Sequence, residues 1–220
     1  MSLAFLSPSP AAPARSPILD AALADGARTE VHAGWEVIAS FGDAAAEEAA
    51  CAESVGFADL SQLAKLEVQH AGGPAFNAGA ARRLPGGWLC PVRPTLDLLL
   101  GEPAANGART VPEVEGRACD LTGSLAAIAI SGPHARDVLA RFCALDLRPA
   151  SLPLHGFRPG SVARSPGYVL REGEQRYLVL FGAAYGQYLW EVVSDAAGRF
   201  DGRPVGVDAL SAIDEEPVRA

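Results

Sequence analysis

The clearest alternation of apolar and polar positions lies at residues 125–130, where Ala126, Ile128 and Ile130 recur every second residue. That is the period of a half-buried strand. Ser131-Gly132-Pro133 then turns the chain. Pro133 suits the first helical position, where its missing N–H has no intrahelical partner to lose. Over 133–144, Ala135, Val138, Leu139, Phe142 and Cys143 follow helical spacing, with Arg136, Asp137 and Arg141 on the other face. The stretch 120–147 is thus predicted to be a strand, a Gly-Pro elbow and a helix.

The same reading runs along the rest of the chain. Ser16 caps a helix that Pro17 opens, Ile18, Leu19, Ala22 and Leu23 form its apolar stripe, and Gly26 stops it. Residues 34–40 are strand-like. Asp43 caps a second helix, whose first turn holds Glu47 and Glu48, the sign the helix dipole favours. In 57–69 the second half alternates, with Leu66 and Val68 on one face and Lys65, Glu67 and Gln69 on the other, so it reads as a strand. Residues 70–87 show little periodicity, and 88–100 regain strand character only at their end, because Pro91 and Pro94 interrupt what precedes.

Residues 101–116 read as a linker rich in Gly and Pro. Two strands, 164–168 and 177–181, follow the elbow unit and are joined as a hairpin through the polar run REGEQR. Tyr185, Tyr188, Leu189, Val192, Val193 and Ala196 mark a last long helix. The expected class is α+β, with antiparallel sheets and helices packed on one face. Residues 1–14 are taken as a disordered lead-in, 15–100 and 117–216 as the N- and C-terminal halves of one fold, and 217–220 as a tail.

Composition narrows the function. The chain has 220 residues, 49% of them hydrophobic, enough for a substantial core. A net charge of −8 without any cluster of Lys or Arg argues against nucleic acid or an anionic membrane as partner. Lys65 is the only lysine. Cys51, Cys90, Cys119 and Cys143 are scattered without metal-ligand spacing, which points to the reducing cytoplasm. No apolar run reaches membrane-spanning length.

Several stretches in order resemble the glycine-cleavage T-protein family of folate-dependent aminomethyltransferases. RSPILDAALADGAR (15–28) resembles its opening R-[ST]-P-L-x-D, and AGWEVIASFGD (33–43) its A-G-W-x-x-P. VGFADLSQLAKLEV (55–68) is similar to its V-G-[LV]-F-D-[LV]-S-H-[ML]-x-K. The elbow unit, RSPGY (164–168) and PVGVDAL (204–210) match later family motifs. The elbow, CALDLRP (143–149) and YLVLFGAAYGQYLW (177–190) are equally similar to the gamma subunit of heterotetrameric sarcosine oxidase, a relative of comparable length that assembles with flavin-bearing subunits.

The resemblance implies an aminomethyltransferase folate-binding-domain fold, and the departures from it bear on chemistry. The family's barrel domain and the segment G-G-x-x-D-D-L, with its catalytic Asp, have no clear counterpart. Asp97-Leu98-Leu99 is either a remnant of that segment or part of the following strand, which would leave the catalytic Asp deleted. Asp97 is accordingly either a catalytic acid or a polar residue on a half-exposed strand. The family's Y-T-G-E-D-G-x-E supplies acids to the pterin site. Here Tyr168 is followed by Val169-Leu170-Arg171-Glu172, and the second acid falls near Arg176 or Tyr177. Tyr168 and Glu172 are the candidate cofactor-binding residues, set against a core tyrosine and a solvated hairpin-tip acid. Asp214 stands where the family has Arg.

Other residues are expected to be structural. Asp59 and Ser61 accept backbone N–H groups in a strand-to-turn motif. Trp35, Trp88 and Trp190 are core or interface aromatics, and Cys119 and Cys143 small apolar fillers. The four histidines form no ligand pattern.

The resemblance implies a sarcosine oxidase gamma-like subunit or stand-alone protein of one-carbon or methylamine metabolism. It would assist transfer of a one-carbon unit to tetrahydrofolate, itself binding that cofactor weakly or not at all. Its partner would be oxidase or demethylase subunits, or a second copy of the chain. The alternatives are a compact aminomethyltransferase using Asp97 and a non-folate interaction domain.

Overall fold

A computed structural model describes residues 11–70, 79–101 and 117–210. Its elements in chain order are β1 (Ala14–Arg15), α1 (Leu19–Ala24), β2 (Arg28–His32), β3 (Trp35–Ser40), α2 (Ala44–Glu53), β4 (Gly56–Asp59) and β5 (Ala64–Gln69). There follow β6 (Arg82–Leu84), β7 (Gly87–Arg93), β8 (Leu96–Gly101), β9 (Arg117–Asp120), β10 (Leu125–Ser131) and α3 (Ala135–Leu139). The last are β11 (Phe157–Val162), β12 (Ser165–Gly173), β13 (Arg176–Gly182), α4 (Gly186–Gly198) and β14 (Arg203–Pro204). Gly101, the first residue of the expected linker, ends β8; the rest of that linker, most of the lead-in, the tail and Asp214 lie outside the described residues.

The strands form three sheets, β1-β3-β2, β11-β12-β13-β10-β4-β14 and β6-β7-β8-β5-β9. The six-stranded sheet is the middle layer. Ala126, Ile128 and Ile130 of β10 face a core shared with Leu19 of α1, Val138 and Leu139 of α3, and Leu189, Trp190 and Val193 of α4. Ala127 and Ala129 face the other way and meet Trp88, Cys90, Leu98 and Leu100 of the five-stranded sheet. The α+β class, with helices on one face of largely antiparallel sheets, is borne out. Strand β10 is interior, between β13 and β4, as its fully buried alternation requires.

The elbow has a steric cause. Gly132 has φ +126°, and a Cβ there would stand 2.5 Å from the Ser54 carbonyl oxygen, so only glycine fits. The helix beyond it ends at Leu139, earlier than the periodicity predicts. Ala144 N–H instead donates to the Ser161 carbonyl (3.0 Å), so the chain leaves the helix to join the end of β11.

Several expectations are corrected. Lys65 is fully buried, because the face it shares with Leu100, its partner across the β5–β8 pair, points into the space between the sheets. Pro91 lies within β7, opposite Asp97 where the register shifts, a place where a missing N–H is tolerated. Pro159 and Gly160 likewise lie within β11, an edge strand. Leu23, Tyr185 and Tyr188 are exposed, as is Cys119 on edge strand β9. Ser16 Oγ accepts the N–H of Ile18 (3.0 Å), and the helix starts at Leu19, two residues beyond Pro17. Asp43 caps α2 as expected, accepting the N–H of Ala46 at 3.1 Å.

Candidate functional site

Between the two larger sheets, at one end, lies a cleft of about 250 Å³. Leu60 and Leu63 from the turn after β4, Leu100 of β8, Leu178 of β13 and Leu210 give it apolar walls. Its polar members include Glu172 and Arg176, and Trp88 lies beside them.

Local folding explains why Glu172 is there. Arg171 pairs with Tyr177 but Gly173 pairs with Arg176, so Glu172 is the extra residue of a β-bulge. Bulges re-aim side chains. Strand β12 continues through Gly173 and β13 starts at Arg176, leaving only Glu174 and Gln175 for the turn. Glu172 is therefore not the solvated hairpin-tip acid that the polar run suggests, and its side chain is only 15% exposed.

The Glu172 carboxylate accepts Trp88 Nε1–H on Oε1 at 3.1 Å and Arg176 Nε–H on Oε2 at 3.2 Å. Burial pushes its pKa up, and Arg176, the Trp88 hydrogen bond and the charge of Arg83 pull against that shift. The Arg83 guanidinium stands 5.0 Å over the Trp88 ring, and His155 lies 5.0 Å from the same ring, tilted.

A buried polar network shapes the turn that forms one wall. Asp59 Oδ1 accepts Ser61 N–H (2.9 Å), Ser61 Oγ accepts Ala127 N–H (3.2 Å), and Lys65 Nζ donates to the carbonyls of Ser61 (2.8 Å) and Leu63 (2.9 Å). The structural role expected of Asp59 and Ser61 is what these contacts show. Burial raises the Asp59 pKa, against hydrogen bonds from Ser16 and Ser61 and the charge of Lys65.

The other two candidates are not among the residues lining this cleft. Asp97 lies on the face of β8 opposite Leu98 and Leu100, with Oδ2 3.3 Å from His70 Nε2. Tyr168 stacks on Phe157, with ring centroids 5.4 Å apart and planes 11° from parallel. Sequence reasoning left Trp88 as a core aromatic and gave Arg176 no role. The signal for Arg176 was the acid that the family pattern expects at that place.

Tetrahydrofolate is the cofactor that the fold implies, and these side chains do not fit it. An amide-like ring edge needs a carboxylate able to accept two N–H groups. In this cleft the described carboxylate is already held by a guanidinium and an indole. No group of acids, histidines and cysteines suited to a metal ion occurs among the described residues, and no helix among them is long and apolar enough to cross a membrane.

Comparison with known proteins agrees with this architecture. The family model for the GCVT N-terminal domain matches residues 106–216, half of the chain. Sarcosine oxidase subunit gamma from Corynebacterium sp. (strain P-1) is 28% identical over 104 residues, covering 47% of this chain and 51% of that one. The match thus spans about half the length of that curated relative. Heterotetrameric sarcosine oxidase from Corynebacterium sp. U-96, solved with pyrrole 2-carboxylate, superimposes with a TM-score of 0.59 at 22% identity, covering 73% of this chain and 93% of that one. Glycine cleavage system aminomethyltransferase T from Bartonella henselae gives a TM-score of 0.66 at 17% identity, over 89% of this chain and 60% of that one. The chain is similar in fold to both, and by its match to the family model it belongs to the GCVT N-terminal domain family.

Proposed function

We propose that this chain is a sarcosine oxidase gamma-like subunit of an amine-oxidising assembly in one-carbon or methylamine metabolism, and that it does not itself perform the transfer. It assists oxidase or demethylase subunits in passing a one-carbon unit to tetrahydrofolate, in the cytoplasm. The observation that carries this reading is the Glu172–Arg176 pair, which occupies the cleft carboxylate that a folate site would need. The departure of Asp97 from the cleft supports it, since proton transfer needs an acid within hydrogen-bond reach of the reacting nitrogen. The likeness to a gamma subunit and to a heterotetrameric oxidase supports a partner of that kind. All four cysteines are free thiols, in keeping with a reducing compartment.

Native purification with light scattering and mass spectrometry tests the assembly. The expected result is a particle heavier than 22.8 kDa that contains a flavin-bearing chain. Calorimetric titration with tetrahydrofolate tests the cleft, and little or no heat is expected. A clean monomer that binds tetrahydrofolate tightly would overturn the proposal in favour of a compact aminomethyltransferase.

A further inference from the structure

A second concavity lies on the other, helix-bearing face of the middle sheet. It is an open groove of about 590 Å³ between the segment that follows α3, the β11–β12 turn and α4. Phe142, Cys143 and Val192 make its floor apolar, and Arg141, Arg164 and Tyr188 stand exposed along its rim. Val162 pairs with Ser165, so Ala163 and Arg164 form a two-residue turn, and both have positive φ, 45° and 66°. Such a turn ordinarily takes Asn and Gly, and two residues with a Cβ are strained in it. The surroundings hold the turn in place. Ala163 N–H donates to the Phe142 carbonyl at 2.7 Å, and Ser165 Oγ–H to the Val162 carbonyl at 2.9 Å. The rim that carries Arg164 is thus fixed before anything binds.

The groove is also charged against the trend of the chain. The protein carries −8 overall, yet this lining holds two guanidinium groups and, among the described residues, no carboxylate. Asp137, Asp146 and Glu191, on the flanking stretches, are engaged by His134, Arg148 and Gln187. The Arg141 guanidinium stands 5.2 Å over the Phe200 ring. Stacking occupies the flat face of a guanidinium and leaves its N–H edge for carboxylates.

We infer that this groove docks an acidic segment of a partner chain. Carboxylates of the segment meet Arg141 and Arg164, and an apolar side chain between them settles on Phe142 and Val192 beside Tyr188. Arg and Tyr around an apolar floor are the residues that interfaces favour. A small anion would stay largely in water in so open a groove, whereas an extended segment covers rim and floor together. The inference rests on the reading above that the chain works in an assembly, and adds where a partner docks and by what chemistry.

Fluorescence anisotropy with a rhodamine-labelled peptide, Glu-Asp-Leu-Phe-Asp-Glu, tests the groove on the full chain. The native protein should bind it, and bind a peptide with lysines in place of the acids about tenfold or more weakly. Arg141→Glu with Arg164→Glu should weaken the acidic peptide about tenfold or more, the loss of two charge-assisted contacts. Arg93→Glu with Arg117→Glu, the same change of charge on the five-stranded sheet, should leave it unchanged. Arg164→Gly relieves the turn, so it should weaken binding without lowering the unfolding midpoint. Equal binding by native chain and groove variant, or an equal loss in the control pair, would sink the inference. Dimerisation of the native chain that the groove variant abolishes would give this face to a second copy and overturn it as well. A native assembly that purifies intact with the groove variant would also overturn the docking site, while leaving the subunit function standing.

Discussion

The buried carboxylate of Glu47 accepts the backbone N–H of Gly206 at 2.8 Å and that of Phe41 at 2.7 Å, joining segments 159 positions apart in the chain. A Cβ on Gly206 would stand 1.7 Å from the Ala39 carbonyl oxygen, so the two backbones meet as closely as they do only because residue 206 is glycine. Glu47 is a clamp, where sequence reasoning saw an acid favoured by the helix dipole. Glu47→Ala should lose about 1–3 kcal/mol for each N–H left unpaired in the interior. Glu47→Gln, which keeps one acceptor oxygen, should lose less. Urea denaturation measures both, and a loss below about 0.5 kcal/mol for the alanine variant would show that water takes over the role.

Leu139 is fully buried between α3 and the six-stranded sheet. Leu139→Ala should cost about 2–5 kcal/mol as a core truncation. Thermal and denaturant unfolding would both report it. A loss no larger than that of a surface change would place this face of the helix outside the core.

Asp59 gives the chain a pH dependence opposite to that of a salt-bridged carboxylate. Its pKa is raised in the fold, chiefly by burial. Above the ordinary aspartate value of 3.8 the unfolded chain releases this proton while the folded chain keeps it. The unfolded state then binds fewer protons, and the contribution of Asp59 to stability falls as pH rises toward its folded pKa. Below 3.8 both states hold the proton and the contribution is constant. Asp59→Asn should therefore gain on the native chain as pH climbs through this window. Parallel stability curves for the two proteins would refute the buried, proton-retaining Asp59.

Asp97 lies outside the cleft and touches His70. Asp97→Ala should leave whatever affinity the chain has for tetrahydrofolate nearly unchanged. The readout is the same calorimetric titration applied to native and variant protein. An affinity that collapses on this substitution would return Asp97 to the catalytic role the family resemblance allows.

What could be read beforehand followed from local rules. The period-two run of β10, the Asp43 cap, the Gly-Pro elbow and the apolar stripe of α4 are all set by neighbours in sequence. The misses have tertiary causes. Strands β7 and β11 run through prolines because a bulge and a sheet edge leave those nitrogens without a ladder partner to lose. Lys65 alternates as a solvent-facing polar residue would, but a second sheet covers its face and backbone carbonyls of its own turn receive its ammonium. Glu172 was named for its place in a motif, yet its burial depends on a bulge and on Trp88, 84 positions away. Arg176 escaped because a charge on a hairpin ordinarily means solvent.

The six-stranded sheet also governs how the chain can be divided. Strand β10, from the second half, hydrogen-bonds β4, from the first, through Ile128–Asp59 to Ser131–Gly56. The family match begins at residue 106 and so excludes β4. A fragment cut to that match would bare one side of an almost wholly apolar strand, with a row of N–H and C=O groups ready to template another chain. Such a piece should precipitate or dimerise edge to edge. Mixed with a separate piece spanning residues 11–101, it should recover solubility as the two strands zip together, which makes the protein a candidate for split-reporter engineering.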